Sequence, residues 1–166
     1  LLVGNHDTYY KNTNDVNSLD LLLDGYHNIE TVQGCTEVDF EDVKMLLVPW
    51  WCEDNDEHIK LHIKSTNATH LVGHFEIDGF EMYKGAIHQG GISRDTFSNF
   101  EKVFSGHFHH QSKYGNIHYI GTPYEMTWSD YDDPKGFHVF DTDTRETTFI
   151  ENPYKMFHKI HYDDMD

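Results

Sequence analysis

The feature that most restricts what this chain can fold into is a pattern that occurs three times. A short apolar run ends in glycine, and histidine or an asparagine–histidine pair follows at once. The three instances are Leu1-Leu2-Val3-Gly4-Asn5-His6-Asp7, Leu71-Val72-Gly73-His74, and Val103-Phe104-Ser105-Gly106-His107-Phe108-His109-His110. Runs this short and apolar suit strands buried on both faces, as parallel strands are in layered α/β folds. In such folds, polar groups just beyond the carboxyl ends of the strands converge on one crevice, so three such loops can pool their side chains. Glycine ahead of the ligand lets the backbone approach closely, and His107 and His109, alternating along an extended segment, are expected on one face.

The rest of the chain reads as mixed α and β elements without repeats or linkers. The spacing predicts a helix over 16–23 capped by Asn14 or Asp15, and a second helix that opens on the acidic residues 53–57 and runs to Ser65. Strands are predicted over 29–33, 35–40, 44–49 and 69–72, with a hairpin of 111–114 and 117–120 about Gly115-Asn116. Three more, 137–140, 147–150 and 157–162, close the chain. At 166 residues the expectation is a single domain over 1–166. Because the sequence opens directly on Leu1-Leu2-Val3, it is expected to be a fragment cut within a buried strand.

Charge limits the function. With 29 acidic against 12 basic residues the net charge is −17, which argues against a surface that gathers phosphates by releasing counterions. If the chain handles DNA, something other than its own Lys and Arg must neutralise the phosphate. The hydrophobic content of 37% is enough for a core, and no apolar run approaches the roughly 18 residues of a membrane span. Cys35 and Cys52 form no C-x-x-C pair, so a reducing, cytoplasmic setting is expected rather than a disulfide framework.

Imidazoles, an asparagine carbonyl and carboxylates suit Mn, Fe, Zn or Ni, and the lack of cysteine in the three loops argues against a structural zinc site. Other candidates carry less. His58 and His62 lack the H-E-x-x-H order and are read as a solvated helix face. His27, His88, His118, His138, His158 and His161 stand singly and default to structural or surface roles. Trp50 and Trp51 are read as core or rim aromatics rather than a base-stacking platform. The acidic stretch 130–133 is expected to be a solvated loop, and Asp163, Asp164 and Asp166 a frayed terminus.

Taken together, Gly4-Asn5-His6-Asp7, Gly73-His74 and Gly106-His107-Phe108-His109 resemble the later motifs of the calcineurin-like metallophosphoesterases. Tyr119-Ile120-Gly121-Thr122-Pro123, followed by Asp130 through Lys135-Gly136-Phe137, is similar to the segment after the last histidine motif of SbcD-type DNA nucleases. The resemblance implies an α/β fold, a sandwich of two mixed β-sheets flanked by helices, here N-terminally incomplete. It assigns Asn5, His74 and His107 to one metal and His109 to the other, with two divalent ions, Mn first and Mg, Fe, Zn or Ni as alternatives. His6 becomes the non-ligand histidine that contacts the scissile phosphate and assists the leaving group. Asp7 supports the loop or orients His6, and His110 has no counterpart. Metals that neutralise the phosphate would reconcile an acidic chain with a DNA substrate.

The Asp-x-His and Gly-Asp motifs that open such domains, including the carboxylate that bridges the two metals, do not occur in this sequence and are expected before Leu1. Weak metal binding and no activity are therefore expected of the chain alone. The implied function of the intact protein is metal-dependent hydrolysis of DNA phosphodiesters in recombination and repair. The implied setting is the cytoplasm, that of a bacterial host if the gene is a phage's, with an SbcC-type ATPase as partner and a homodimer as a further association. Two alternatives remain open: a phosphomonoesterase or cyclic-nucleotide phosphodiesterase on the same scaffold, and a non-catalytic metal- or partner-binding module.

Overall fold

Parallel pairing of short apolar strands builds the centre of the molecule, which a computed structural model describes over residues 1–162. The expected fraying of Asp163, Asp164 and Asp166 lies outside the described residues. In chain order the strands are β1 (Thr36–Phe40), β2 (Val43–Val48), β3 (His70–His74), β4 (Glu81–Tyr83), β5 (Ala86–Ile87), β6 (Lys102–Gly106), β7 (Ser112–Tyr114), β8 (Ile117–Tyr119), β9 (Gly136–Phe140) and β10 (Thr147–Glu151). Among the described residues the α-helices are α1 (Ser18–Leu23) and α2 (Asp56–Ser65).

Six strands form one mixed sheet in the order β1-β2-β3-β6-β8-β7. The inner four are parallel, and β1 and β7 close the edges in antiparallel fashion. Register sorts the side chains by face, since alternate residues point to opposite sides. Leu46, Leu71, Val103 and Ile117 align in one row, and Val48, Gly73, Ser105 and Tyr119 in the next. This face packs on α2 through Ile59 and Ile63, four residues apart, and on Phe75, Phe97 and Phe100 to make the main core.

The opposite face carries Met45, His70, Val72, Phe104 and His118 and is covered by the antiparallel pair β9–β10. Phe140 of β9 packs on Phe104 and His70, with ring centroids 5.5 and 5.1 Å apart. An apolar cleft of about 580 Å³, lined by Met45, Val72, Phe104, Phe137 and Phe140 among others, opens between the two layers. The α/β class and the layered sheets are as expected; the second layer is two antiparallel strands rather than a mixed sheet. A further small hairpin, β4–β5, lies outside the sequence expectation.

Four local differences have physical causes. The first helix starts at Ser18 because buried Asn17, not Asn14 or Asp15, caps it, its Oδ1 accepting from Asp20 N–H at 2.9 Å. Residues 29–33 form only one bridge, Val32 with Leu2, which gives Leu1-Leu2-Val3 its strand-like partner. No strand forms over 157–162; buried Glu125 instead accepts the N–H groups of Met156 and Phe157 at 2.7 and 2.9 Å, where a ladder would have paired them. Finally, Asp130 and Asp133 are not a solvated loop. They are 1% and 2% exposed, around an equally buried Lys135.

Candidate metal centre

The carboxyl ends of β3 and β6 lie side by side because His74 and Gly106 are register partners. Ser105, fully buried on β6, locks this end of the sheet: its hydroxyl accepts from Phe75 N–H at 3.1 Å and donates to Gly106 O at 2.8 Å. The first loop arrives from the side, held by Trp50 N–H donating to Val3 O at 2.7 Å. Glycine suits the places where these segments close on His74. A Cβ on Gly4 or on Gly106 would lie 3.0 Å from the His74 ring.

Three of the residues singled out from sequence meet here. Asn5 Oδ1 lies 2.8 Å from His74 Nε2 and 3.3 Å from His107 Nδ1, across sequence separations of 69 and 102 residues. The His74 and His107 rings stand 5.2 Å apart, and Trp50 packs against both at 5.9 and 5.3 Å, which makes it a rim residue of the site. His107 has φ of +89°, a left-handed conformation that a non-glycine residue holds only at a cost of order 1–3 kcal/mol. Strain of this kind places the imidazole where an extended backbone would not.

The bend separates the two histidines of the last motif. His107 faces Asn5 and Glu76, whereas His109 is bonded to Asp130, with Nδ1 3.1 Å from Oδ2. Between them Phe108 is buried and stacked on Tyr119 at 4.6 Å, so the segment is not the extended strand that alternation assumed. Among the described residues no hydrogen bond joins His109 to Asn5, His74 or His107.

His6 follows Asn5 and is exposed. Asp7 supports the loop: its Oδ2 accepts Gly4 N–H at 2.8 Å and its Oδ1 the Ser18 hydroxyl at 3.4 Å. No hydrogen bond links Asp7 to His6 among the described residues.

Three carboxylates beside the site escape sequence reasoning. Glu76, just past β3, has Oε1 3.0 Å from His107 Nε2. Asp130 approaches His109, and Asp133 approaches His110, with Nδ1 to Oδ1 at 2.8 Å. Lys135 ties the pair together, donating to Asp130 Oδ1 (3.2 Å), Asp133 Oδ2 (2.8 Å) and His109 O (2.7 Å). Neither Glu76 nor the 130–135 stretch has a spacing that marks it as part of a site; only the likeness of the latter to SbcD-type sequences hinted at a role.

The electrostatics favour neutral imidazoles. Burial, reinforced by the charges of His107 and His6, pushes His74 down to about 4. Burial also lowers His107, against the opposing pull of Glu76. For Asp130 burial is the largest influence and resists ionisation, but the Thr127 N–H, Lys135 and His109 outweigh it and hold the carboxyl at about 2.

Neutral imidazole and amide oxygen are donors of the kind that first-row divalent metals take. If Glu76 accepts the single ring proton of neutral His107, then His107 Nδ1 and Asn5 Oδ1 face each other as two lone-pair donors, an opposition that a cation relieves. The donors present therefore fit one metal position in part. Among the described residues no three His, Cys, Asp or Glu side chains are grouped to hold a metal. The large apolar cleft shares no residue with the three loops and offers no comparable chemistry. Among the described residues no helix is long and apolar enough to cross a membrane.

No family model matches the chain. It is 43% identical over 161 residues to Exonuclease subunit 1 of Enterobacteria phage T4. That match takes in 97% of this chain and 47% of the phage protein, so the chain spans about half the length of the curated relative it matches.

Proposed function

We propose that the chain is the part of an SbcD-type, calcineurin-like metallophosphoesterase domain that carries the later metal ligands, and that the whole protein hydrolyses DNA phosphodiesters. The observation that supports this most is the meeting of Asn5, His74 and His107, drawn from three loops far apart in sequence, around one amide oxygen. The name of the phage relative adds that nuclease chemistry and a multi-subunit setting suit a chain of this sequence. In this reading residues 1–166 belong to one domain, Asn5, His74 and His107 hold one divalent ion, and His109 serves a second. Mn is the first choice, with Mg, Fe, Zn or Ni as alternatives. When bound, such a pair of ions neutralises the attacked phosphate and activates a water.

The chain's own residues then have distinct tasks. His74 and His107, kept neutral by burial, offer lone pairs rather than positive charge. Exposed His6, next to Asn5, contacts the phosphate and donates a proton to the leaving oxygen. Asp7 holds the Gly4–Asp7 turn that aims both neighbours, and Trp50 screens the two imidazoles from one side. The Asp-x-His and Gly-Asp motifs that would supply the remaining carboxylate ligands do not occur ahead of the three loops in this sequence, so the chain alone is expected to be inactive. An SbcC-type ATPase delivers DNA, and the intact protein acts in recombination and repair in the cytoplasm, as a homodimer if two copies pair.

The test uses a polypeptide as long as the phage relative, assayed for Mn affinity and for DNA cleavage. His6→Ala is expected to slow turnover by about 10²–10⁴-fold while metal is retained, and His107→Ala to weaken both. Equal loss of metal in the two variants would remove His6 from its catalytic role. Hydrolysis of small phosphate esters without any action on DNA would move the reading to a phosphomonoesterase or cyclic-nucleotide phosphodiesterase.

A further inference from the structure

The two histidines of Gly106-His107-Phe108-His109 are each held by a carboxylate, but through opposite ring nitrogens. Glu76 Oε1 lies 3.0 Å from Nε2 of His107, while Asp130 Oδ2 lies 3.1 Å from Nδ1 of His109. A carboxylate can only accept, and a neutral imidazole has one proton to give. The carboxylate that takes the proton therefore fixes which nitrogen is left with the lone pair.

We propose that Glu76 and Asp130 are positioning residues that set His107 and His109 in opposite tautomers, so that His107 presents Nδ1 and His109 presents Nε2. The inference deepens the metal-centre reading and rests on it for the purpose of the lone pairs. The geometry itself does not need a metal.

Each carboxylate is placed for the task. Glu76 stands after β3 and meets His107 across the gap between β3 and β6, leaving Nδ1 on the side of Asn5 Oδ1. Asp130 is fixed more firmly. Its Oδ2 accepts the N–H groups of Met126 and Thr127 and the Thr127 hydroxyl at 3.0, 2.8 and 3.1 Å, and its Oδ1 accepts Lys135 Nζ at 3.2 Å. Held by these donors and by a capped turn, Asp130 has no freedom to follow a rotating imidazole. Lys135 also donates to the His109 carbonyl, so backbone and side chain of His109 are gripped by the same network. His110 repeats the arrangement with Asp133, and its other nitrogen faces Glu81 at 3.7 Å.

The experiment is long-range proton–nitrogen correlation NMR on the isotope-labelled chain, without metal or DNA, at about pH 8, above the ordinary histidine range. In the unmodified chain His107 is expected to carry its proton on Nε2 and His109 on Nδ1. Either ring protonated on the other nitrogen, or an even mixture, overturns the inference without any variant having to fold. Glu76→Gln should then disturb the His107 pattern and leave His109 unchanged, and Asp130→Asn should do the reverse. A variant that leaves its own histidine unmoved removes that carboxylate from the role.

A second readout is Mn affinity. Glu76→Gln should weaken it by about 10-fold or more, as loss of a hydrogen bond behind a ligand does. Failure of the tautomer pattern would leave the nuclease reading standing. The expected tautomers in a full-length protein that leaves DNA intact would sink only that reading.

Discussion

Gly73→Ala tests whether the sequence around the second loop is set by close packing rather than by turn geometry. An ideal Cβ at this position would fall 2.0 Å from Phe75 Cζ, 2.4 Å from Cε2 and 2.8 Å from Cε1. Carbon atoms settle at about 3.5–4.0 Å, so the ring would have to retreat by roughly 1.5 Å. It has nowhere to go: Phe75 is fully buried against Phe97 and Trp51, with centroids 5.1 and 6.1 Å away. Overpacking of this kind costs about 1–3 kcal/mol, and the gain in strand propensity from replacing glycine returns at most about 1 kcal/mol. A net loss of about 1–2 kcal/mol with a urea m-value of about 2 kcal/mol/M lowers the denaturation midpoint by about 0.5–1 M. Phe75→Leu, which shortens the ring, should recover part of that loss in the double variant, so the two changes are non-additive by about 1 kcal/mol. An unchanged midpoint for Gly73→Ala, or strictly additive effects, would refute the packing argument.

Three further outcomes follow from the same geometry. Lys135→Met leaves Asp130 and Asp133 buried without their shared cation, and chemical denaturation should show a loss of about 3–5 kcal/mol. The chain should also lose stability in mild acid. His74 and His118 are held at about 4 by burial above all, against an ordinary 6.5, so the unfolded chain takes up protons first; their contribution is complete above pH 6.5 and disappears as pH falls toward 4. Midpoints measured across that window should fall with pH, and a flat profile would contradict the burial of these rings. Glu125→Ala, finally, should release 156–157 from the body of the protein, read as faster amide exchange at Met156 and Phe157.

The parallel core and the three glycine–histidine loops were legible because each depends on local signals: a short apolar run, then glycine, then a polar side chain. β2, β3 and β6 fall within a residue or two of their expected bounds for this reason. What sequence could not carry was the identity of long-range polar partners. Glu125 replaces a strand ladder at 156–157, and Asp130 and Asp133 share Lys135 in the interior, although a run of acids and a lysine looks like solvated surface. Glu76 is an ordinary glutamate until β3 and β6 are seen side by side. The left-handed His107 is a similar case, since residue type gave no sign that the backbone would bend there and part His107 from His109.

The central claim is that Asn5, His74 and His107 form a divalent-metal position, and titration of the labelled chain with Mn tests it most directly. The paramagnetic ion should broaden the side-chain signals of these three residues first, with weak affinity because the donors are few and neutral, and His107→Ala should abolish the selective effect while leaving the general broadening at surface carboxylates. Broadening that bypasses Asn5, His74 and His107, or that is unaltered in His107→Ala, would contradict the account.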